Sequence, residues 1–315
     1  MSGIRLVPAD MNFDFVGHRF IAFALSAVVV FGSLFLLTTK GLNFGIDFTG
    51  GTVIEIQTVE APDLAALRKT LNNLDLGDVS IQEFGAPNDL LIRLQAQPQE
   101  DELKEGEKSA QEVAVDKVRT ALAASIGNVD YRRTEFVGPQ VGKELKRQGL
   151  YAVLFSILAI LAYIWFRFEW QYGLGAILAL MHDVIGTLGL FALTGMQFDL
   201  TSVAAVLLIA GYSINDTVVI FDRIREMLRK FKKMPIEEIL NVSINQTLSR
   251  TTITALTTLL ALVALWAFGG EVISGFVNAL IFGILIGTHS SIFVASPVLM
   301  YFNVRRSGGE DTADS

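Results

Sequence analysis

Two ionisable residues interrupt the long apolar stretches of this chain of 315 residues. Asp216 lies inside the apolar run Gly211–Phe221, and Arg250 directly precedes a second apolar stretch that is rich in threonine. A charge at the centre of a membrane helix costs roughly 2.5–3.5 kcal/mol on insertion scales, so such residues are functional candidates by default. A carboxylate near a cation can take up and release a proton or hold another cation. We therefore expect an ion-coupling pair at Asp216 and Arg250.

Three further residues are candidates for the same chemistry. Asn215 is expected to share the inward face of Asp216, and the hydroxyl of Thr254 lies one helical turn beyond Arg250. Asp183 follows a histidine in another apolar stretch and is a possible secondary relay, with a structural hydrogen bond as the alternative. The alternative for Asp216 and Arg250 is a static buried pair, or side chains that reach the headgroups.

Composition and hydropathy predict a polytopic membrane protein. Hydrophobic residues make up 51% of the chain and the mean hydropathy is +0.48. Six apolar segments are long enough to cross a bilayer core of about 30 Å as helices. These six predicted transmembrane segments are 20–38, 149–167, 172–194, 200–221, 252–268 and 275–303.

The remaining segments are assigned from charge and periodicity. Lys and Arg flank the spans on one side, which predicts that residues 1–19 and the tail 304–315 are cytoplasmic and that 39–148 is external. Within the membrane region 149–303, residues 235–249 are expected to form a separate amphipathic helix along the cytoplasmic interface. The first span lacks a small-x-small cleavage site, so we expect it to be retained.

The segment 39–148 is predicted to be a ferredoxin-like α+β domain with the order β-α-β-β-α-β. It contains no histidine, and the chain contains no cysteine, so neither a metal site nor a disulfide is expected. No catalytic constellation and no basic patch for nucleic acid is found, which favours a binding or gating module over an enzyme. The predicted elements are strands at 52–57, 80–84, 90–95 and 131–137, helices at 63–74 and 109–125, and a charged segment at 98–108.

Three motifs carry a resemblance to a known family. Gly45–Gly51 follows the first span, Val137–Leu145 precedes the second, and Asn215–Glu226 is continued by Asn245–Thr251. In this order, with six spans and one large external domain after the first, the chain resembles the SecF group of the SecD/SecF family. That family belongs to the resistance-nodulation-division superfamily, and the resemblance covers nearly the whole chain.

The resemblance implies a fold, partners and a mechanism. The six helices would be half of a twelve-helix bundle, completed by SecD in a hetero-oligomer that works beside the SecYEG channel in the lipid of the bacterial cytoplasmic membrane. The proton or sodium motive force would drive late translocation and release of an unfolded preprotein on the outer side. Asp216 and Arg250 match the ion-conducting pair of the family, and no cofactor is implied beyond the coupling ion.

The resemblance also singles out motif residues at the two edges of the external domain. They fit hinges or tight turns that pass motion outward, with ordinary boundary turns as the alternative. These residues are Gly45, Asp47, Gly50, Gly51, Gly138, Pro139 and Gly142.

Other classes of function remain open at this point. Half of a small-molecule or lipid exporter of the same superfamily is one, and a passive assembly factor in which the charged pair is dispensable is another. An intramembrane aspartyl protease would use Asp183 and Asp216, but the residues Ser213–Asp216 lack the Gly-x-Gly-Asp pattern of such enzymes.

Overall fold

The structure, a computed structural model, describes residues 12–77, 79–97, 109–302 and 304. Two compact units emerge: Phe44–Tyr151 forms one, and the segments before and after it form the other. In chain order the helices are α1 (Arg19–Thr39), α2 (Ile46–Thr49), α3 (Leu64–Asn72), α4 (Ala110–Ile126), α5 (Pro139–Arg167), α6 (Trp170–Thr194), α7 (Leu200–Lys230), α8 (Ile236–Phe268), α9 (Ser274–Ser290) and α10 (Ser296–Val298). The strands are β1 (Asn43–Phe44), β2 (Gly51–Thr58), β3 (Val79–Phe84), β4 (Ala86–Leu94), β5 (Val129–Val137) and β6 (Gln197–Phe198).

Six helical stretches are long and apolar enough to cross a membrane: α1, α5, α6, α7, α8 and the stretch Ser274–Tyr301. The prediction of a polytopic helical membrane protein is confirmed. In α6, α7 and Ser274–Tyr301, 50–61% of the apolar window is buried inside the chain, against 11% in α1, α5 and α8. The first three therefore form the packed interior, and the other three present apolar side chains outward.

The predicted separate helix at 235–249 is wrong. Residues Ile236–Phe268 form one continuous helix, because no glycine or proline interrupts the polar stretch before Arg250. Ile239, Leu240 and Ile244 are fully buried in a core cluster with the end of α7. The apolar face of this segment therefore packs within the protein and does not lie on a lipid surface.

Other spans also differ from their predicted bounds. α5 begins at Pro139, ten residues before the predicted span, since proline suits the first turn of a helix. α7 continues beyond residue 221 to Lys230. In the sixth span, α9 passes into a π-helical turn at Ser291–Ala295 just before Pro297, which cannot donate a backbone hydrogen bond.

The α+β domain between α1 and α5, which was predicted to be external, has the predicted element order with the short helix α2 added. Its four-stranded antiparallel sheet has the order β3-β4-β2-β5, which is the split βαβ topology. Asp63 caps α3, and a Ser109/Glu112 capping box begins α4. Both helices contribute to the core under the sheet, where Ile54 and Leu122 are fully buried.

One detail of this domain departs from expectation. The strand predicted to begin at residue 90 already begins at Ala86. Gly85, with a φ of 88°, makes the tight turn between β3 and β4. The charged segment 98–108 lies outside the described residues.

Candidate ion-coupling site

Asp216 lies in the middle of α7 and its side chain is buried, with a relative exposure of 3%. Its Oδ2 atom is buried without a hydrogen-bond partner. Among the described residues, Asp216 forms no ion pair within 4.0 Å, although the Arg250 guanidinium is close enough for its charge to act on the carboxylate. Asp216 and Arg250 therefore do not form a salt bridge in this conformation, and the alternative of a static buried pair is not what the structure shows.

The hydroxyls beside this pair are also incompletely bonded. The Tyr212 hydroxyl lies beside the hydroxyls of Thr254 and Thr258 without an aligned hydrogen bond to either. Thr251, next to Arg250, is 1% exposed, and its Oγ1 atom has no partner among the described residues. Buried polar atoms are rarely left in this state, so each such group needs an explanation.

Two threonines of α8, Thr254 and Thr258, bond to their own helix. The Thr254 hydroxyl donates to the carbonyl oxygens of Arg250 (3.0 Å) and Thr251 (2.9 Å), and that of Thr258 donates to Thr254 (2.8 Å). Their protons are thus engaged, while the hydroxyl lone pairs remain free to accept a hydrogen bond. A row of such acceptors can solvate a passing cation or a protonated water.

Asn215 does not share the inward face of Asp216 as expected, and its role in ion coupling stays a prediction. Its side chain is exposed, whereas Asp216 and Thr217 are buried. Consecutive residues of an α-helix point about 100° apart, so Asn215 cannot share the inward face of Asp216 at this position. Ser213, one turn before Asp216, is the buried polar residue on that face of α7.

Asp183 on α6 is 0% exposed and is held by side chains from three helical segments. The hydroxyls of Ser213 and Ser290 donate to its Oδ2 at 2.5 and 2.8 Å. His182 Nδ1 lies 2.9 Å from its Oδ1. This carboxylate is therefore fixed in place and solvated by the protein, unlike Asp216.

Hydroxyls continue the cluster around Asp183 toward the π-helical turn. Ser291 Oγ lies 2.8 Å from Thr217 Oγ1 and donates to the backbone oxygen of Ser213 at 3.2 Å. The Ser296 hydroxyl donates to the Ser291 carbonyl at 2.9 Å, which satisfies a group that the irregular turn leaves available. The cluster thus links α6, α7 and the sixth span by side-chain hydrogen bonds.

The two glycine motifs meet within the external domain. Gly50 and Gly51 have φ values of 72° and 128°, and Gly51 pairs with Val137 across β2 and β5. A Cβ atom on Gly51 would lie 2.4 Å from the Leu94 carbonyl oxygen, and one on Gly142 would lie 2.9 Å from the Gly50 nitrogen. Only glycine permits this backbone approach, so the motifs build one closely packed joint.

The other motif residues belong to the same joint. Gly45 precedes α2 as its N-cap, and Asp47 lies in the first turn of that helix. Gly138 directly precedes α5, which Pro139 begins. Motion through this joint remains a prediction.

Comparison with known proteins gives a consistent family. The family model described as "Protein export membrane protein SecD/SecF, C-terminal" matches residues 117–305, and that of the "SecD/SecF GG Motif" matches 35–61. The chain belongs to the SecD/SecF family. Proteins called "Protein translocase subunit SecF" from Rickettsia felis and Rickettsia prowazekii are 45% and 46% identical over 304 residues, which is 96% of this chain and 96% and 95% of theirs.

Solved structures of the SecD/SecF family agree with the fold. The crystal structure of SecDF, a translocon-associated membrane protein from Thermus thermophilus, matches 96% of this chain with a TM-score of 0.83 and 35% identity. A second structure, SecDF in a super-membrane-facing form, matches with a TM-score of 0.69 and 34% identity. The chain spans 40% of the length of each of these SecDF chains.

The SecD/SecF matches contain the sites described above. The C-terminal family model includes both carboxylates, Asp183 and Asp216, together with Arg250, and the GG motif model includes the Gly50–Gly51 joint. Sequence reasoning placed these residues, but it missed the hydroxyl cluster around Asp183. Its one visible signal is the doublet Ser290–Ser291 within an apolar span.

A second cluster missed from the sequence fixes the segment before α1. Asn245 accepts from the Phe13 amide at 3.0 Å and Asn241 from the Val16 amide at 2.9 Å, and the Asn241 amide group donates to Asp14 at 2.7 Å. Hydrogen bonds from the Gly17 amide and from Asn241 lower the pKa of Asp14. The N-terminal segment of this SecD/SecF family member is thereby bound to the start of α8.

Proposed function

We propose that this chain is an accessory, non-enzymatic subunit of the bacterial Sec protein-export machinery. With SecD it would use an ion-motive force to drive late preprotein translocation and release on the outer side of the cytoplasmic membrane. The observation that carries the proposal is the buried, unpartnered Asp216 carboxylate beside an Arg250 that it does not pair with.

The open pair suits a group that exchanges an ion. A buried charge without hydrogen bonds is costly, so binding a proton or a sodium ion relieves Asp216 of an unfavourable state. Pairing with Arg250 relieves it in a second way. The two alternatives are mutually exclusive, which lets occupancy by the ion select between two arrangements of α7 and α8.

The energy available from the ion gradient is sufficient for such a switch. One elementary charge that crosses the membrane gains roughly 2.3 kcal/mol per 100 mV. Moving a two-state population from 1:99 to 99:1 takes about 5.5 kcal/mol. Two or three ions per cycle at about 100 mV would therefore move the external domain between two poses.

A partner bundle is part of the proposal. α1 and α8 present large apolar side chains outward, with Phe31 71% and Phe268 89% exposed, and such faces fit lipid or the helices of a second subunit. SecD is the proposed partner because the matching SecDF chains contain this fold as 40% of their length. The orientation with both termini cytoplasmic, the SecYEG contact and the preprotein substrate are proposed on the same family relationship and on the distribution of Lys and Arg.

Two other functions are less well supported. Half of a small-molecule exporter would need a capture cavity, whereas the described part of the external domain is a compact ferredoxin-like module with its core filled by side chains. A passive assembly factor has no use for a buried carboxylate that lacks partners. Both would leave Asp216 dispensable for ion-driven protein export.

The experiment is preprotein export into membrane vesicles under an imposed ion gradient. We expect Asp216→Asn to abolish the gradient-dependent part of export while assembly with the partner stays normal. The matched control is Asp222→Asn, since Asp222 lies two turns away on the same helix and forms an exposed ion pair with Arg167 at 2.6 Å. Full gradient-dependent export by Asp216→Asn would overturn the proposal, and running the assay with proton and with sodium gradients identifies the ion.

A further inference from the structure

A histidine nitrogen next to the fixed carboxylate has no partner. His182 is 4% exposed, and its Nδ1 atom lies 2.9 Å from Asp183 Oδ1. Its Nε2 atom is buried without a hydrogen bond among the described residues. When Nδ1 carries the hydrogen that Asp183 accepts, Nε2 is a bare lone pair in an apolar interior.

A second histidine, from the sixth span, lies near the His182 ring. The rings of His182 and His289 have centroids 6.1 Å apart. His289 Nε2 lies 3.2 Å from the Ser26 hydroxyl of α1, and its ring stacks on Phe293 at 5.1 Å. The histidines thus form a polar path from the α1 side of the bundle to Asp183.

The path ends near the candidate coupling residue. Asp183 accepts from Ser213, and Ser213 lies one helical turn before Asp216 on α7. The ionisable groups of the described chain that act on His182 are Asp183 on its own helix and His289 on α9. α1 contributes the neutral Ser26 hydroxyl and α7 the neutral Ser213 hydroxyl.

We propose that the His182–Asp183 pair is a second protonation site within the membrane helices, distinct from Asp216. The proton binds at His182 Nε2, where one N–H bond forms as one O–H bond of a hydronium ion breaks and leaves a water molecule, and no electron is transferred. Asp183 acts as a positioning residue: it holds the Nδ1 tautomer and supplies the negative charge that stabilises the imidazolium. Three donors already fix this carboxylate, so the ring turns little on protonation.

The proposal extends the ion-coupled function above, and only its link to export rests on that function. Protonation itself can be measured without export. The chain contains three histidines, so ¹⁵N-histidine labelling of the full chain in lipid bilayers gives three imidazoles to assign. His18→Gln and His289→Gln each remove one set of signals and identify those of His182.

We expect a neutral His182 ring to carry its hydrogen on Nδ1, because Asp183 accepts there, and a second hydrogen to appear on Nε2 when the pH is lowered. Asp183→Asn should reduce the imidazolium fraction of His182 at intermediate pH by about tenfold or more. Ser290→Ala removes one donor to Asp183 while keeping the carboxylate, and it should retain the titration if Asp183→Asn fails to fold. Asp216→Asn should leave the His182 titration unchanged.

Several results would overturn the proposal. One is a His182 ring that stays neutral down to about pH 5, and another is a hydrogen on Nε2 at high pH. A histidine signal that responds to sodium and not to pH would indicate a cation site at Asp183 instead. In export, His182→Gln should lower the gradient-driven part several-fold. Normal export with a confirmed titration would disprove the link to coupling, whereas failure of Asp216→Asn to affect export would disprove only the function proposed above.

Discussion

Two buried carboxylates on neighbouring helices are treated in opposite ways by this fold. Asp183 on α6 has two serine hydroxyls and a histidine nitrogen within 2.9 Å, whereas Asp216 on α7 has no hydrogen bond among the described residues. The first carboxylate is solvated by groups that the protein supplies. The second is left to an external ion or to Arg250. The difference indicates that burial alone does not mark a coupling group, and that the absence of partners is the more informative feature.

Replacing each carboxylate with leucine should reveal the largest difference between Asp183 and Asp216, which is a difference in the free energy of unfolding. Asp183→Leu leaves two buried hydroxyls and a ring nitrogen without their acceptor, so we expect a loss of about 3 kcal/mol in the free energy of unfolding. Asp216→Leu removes an unpartnered carboxylate and should change stability by less than about 1 kcal/mol. Unfolding of the purified chain in detergent measures both. Equal losses at the two positions would contradict the comparison.

Substitutions of Arg250 show whether Asp216 requires only a nearby positive charge or the shape of the guanidinium group. Because the guanidinium acts here without an ion pair, Arg250→Lys keeps the positive charge and should retain about half of the gradient-driven export. Arg250→Gln removes the charge and should lower it about tenfold. The gradient-driven export assay distinguishes them. If lysine and glutamine were equally defective, a bidentate pair in another state would be required.

Each hydrogen-bond donor to Asp183 should contribute to the free energy of unfolding. Ser213→Ala and Ser290→Ala each remove one hydrogen bond to a carboxylate, and we expect each to lower the free energy of unfolding by about 1 kcal/mol. Since both bind the same oxygen, the double variant should differ from the sum of the singles. Asn215→Ala is the matched control, because this neighbour is exposed. A loss at Asn215 as large as at the serines would contradict the assignment.

Asp14 offers a third carboxylate, which is exposed and accepts hydrogen bonds from the Gly17 amide and from Asn241. Its pKa is lowered from the ordinary value of 3.8, chiefly by the Gly17 amide and then by Asn241. A depressed folded-state pKa means that its stabilisation is present above the unfolded value and is lost as the pH falls through the folded value. We expect the protection of the Phe13–Gly17 amides, measured relative to their intrinsic exchange rates at each pH, to fall modestly below about pH 4.

The matched variant for this effect is Asp14→Asn, in which the protection of the Phe13–Gly17 amides should no longer depend on pH in this range. A segment whose exchange is equally pH-dependent in the variant would indicate that another group holds it. The effect is expected to be small because the site is exposed and screened by water.

The helical architecture could be predicted because hydropathy over some twenty residues reports directly on a bilayer-spanning helix. The first and last residues of the helices were harder to predict from the sequence. Residues 235–249 looked like an interfacial helix because the sequence shows an apolar face but not what covers it, and the covering residues include Phe15 and Val16 from the other end of the chain.

The candidate site was predictable in its charges and not in its hydrogen bonds. Asp216 and Arg250 are conspicuous because a charge in an apolar stretch is costly. Serine is nearly neutral in such a stretch, so the Ser290–Ser291 doublet was the one visible signal, and nothing marked Ser213 before the helices were placed side by side. Asn215 was assigned inward from its three- and four-residue spacing to Tyr212 and Val219, but the buried face of α7 lies on the side of Asp216 and Thr217 and leaves Asn215 exposed.

The most direct test is labelling of buried carboxyl groups by a hydrophobic carbodiimide in membranes that contain the chain and its partner, since this reagent attacks protonated carboxyls. We predict modification of Asp216 that increases as the pH falls and that the coupling ion protects against if the ion is sodium, while Asp183 stays unmodified behind its three donors. Modification of Asp183 in preference to Asp216, or a rate at Asp216 that ignores both pH and sodium, would contradict the account.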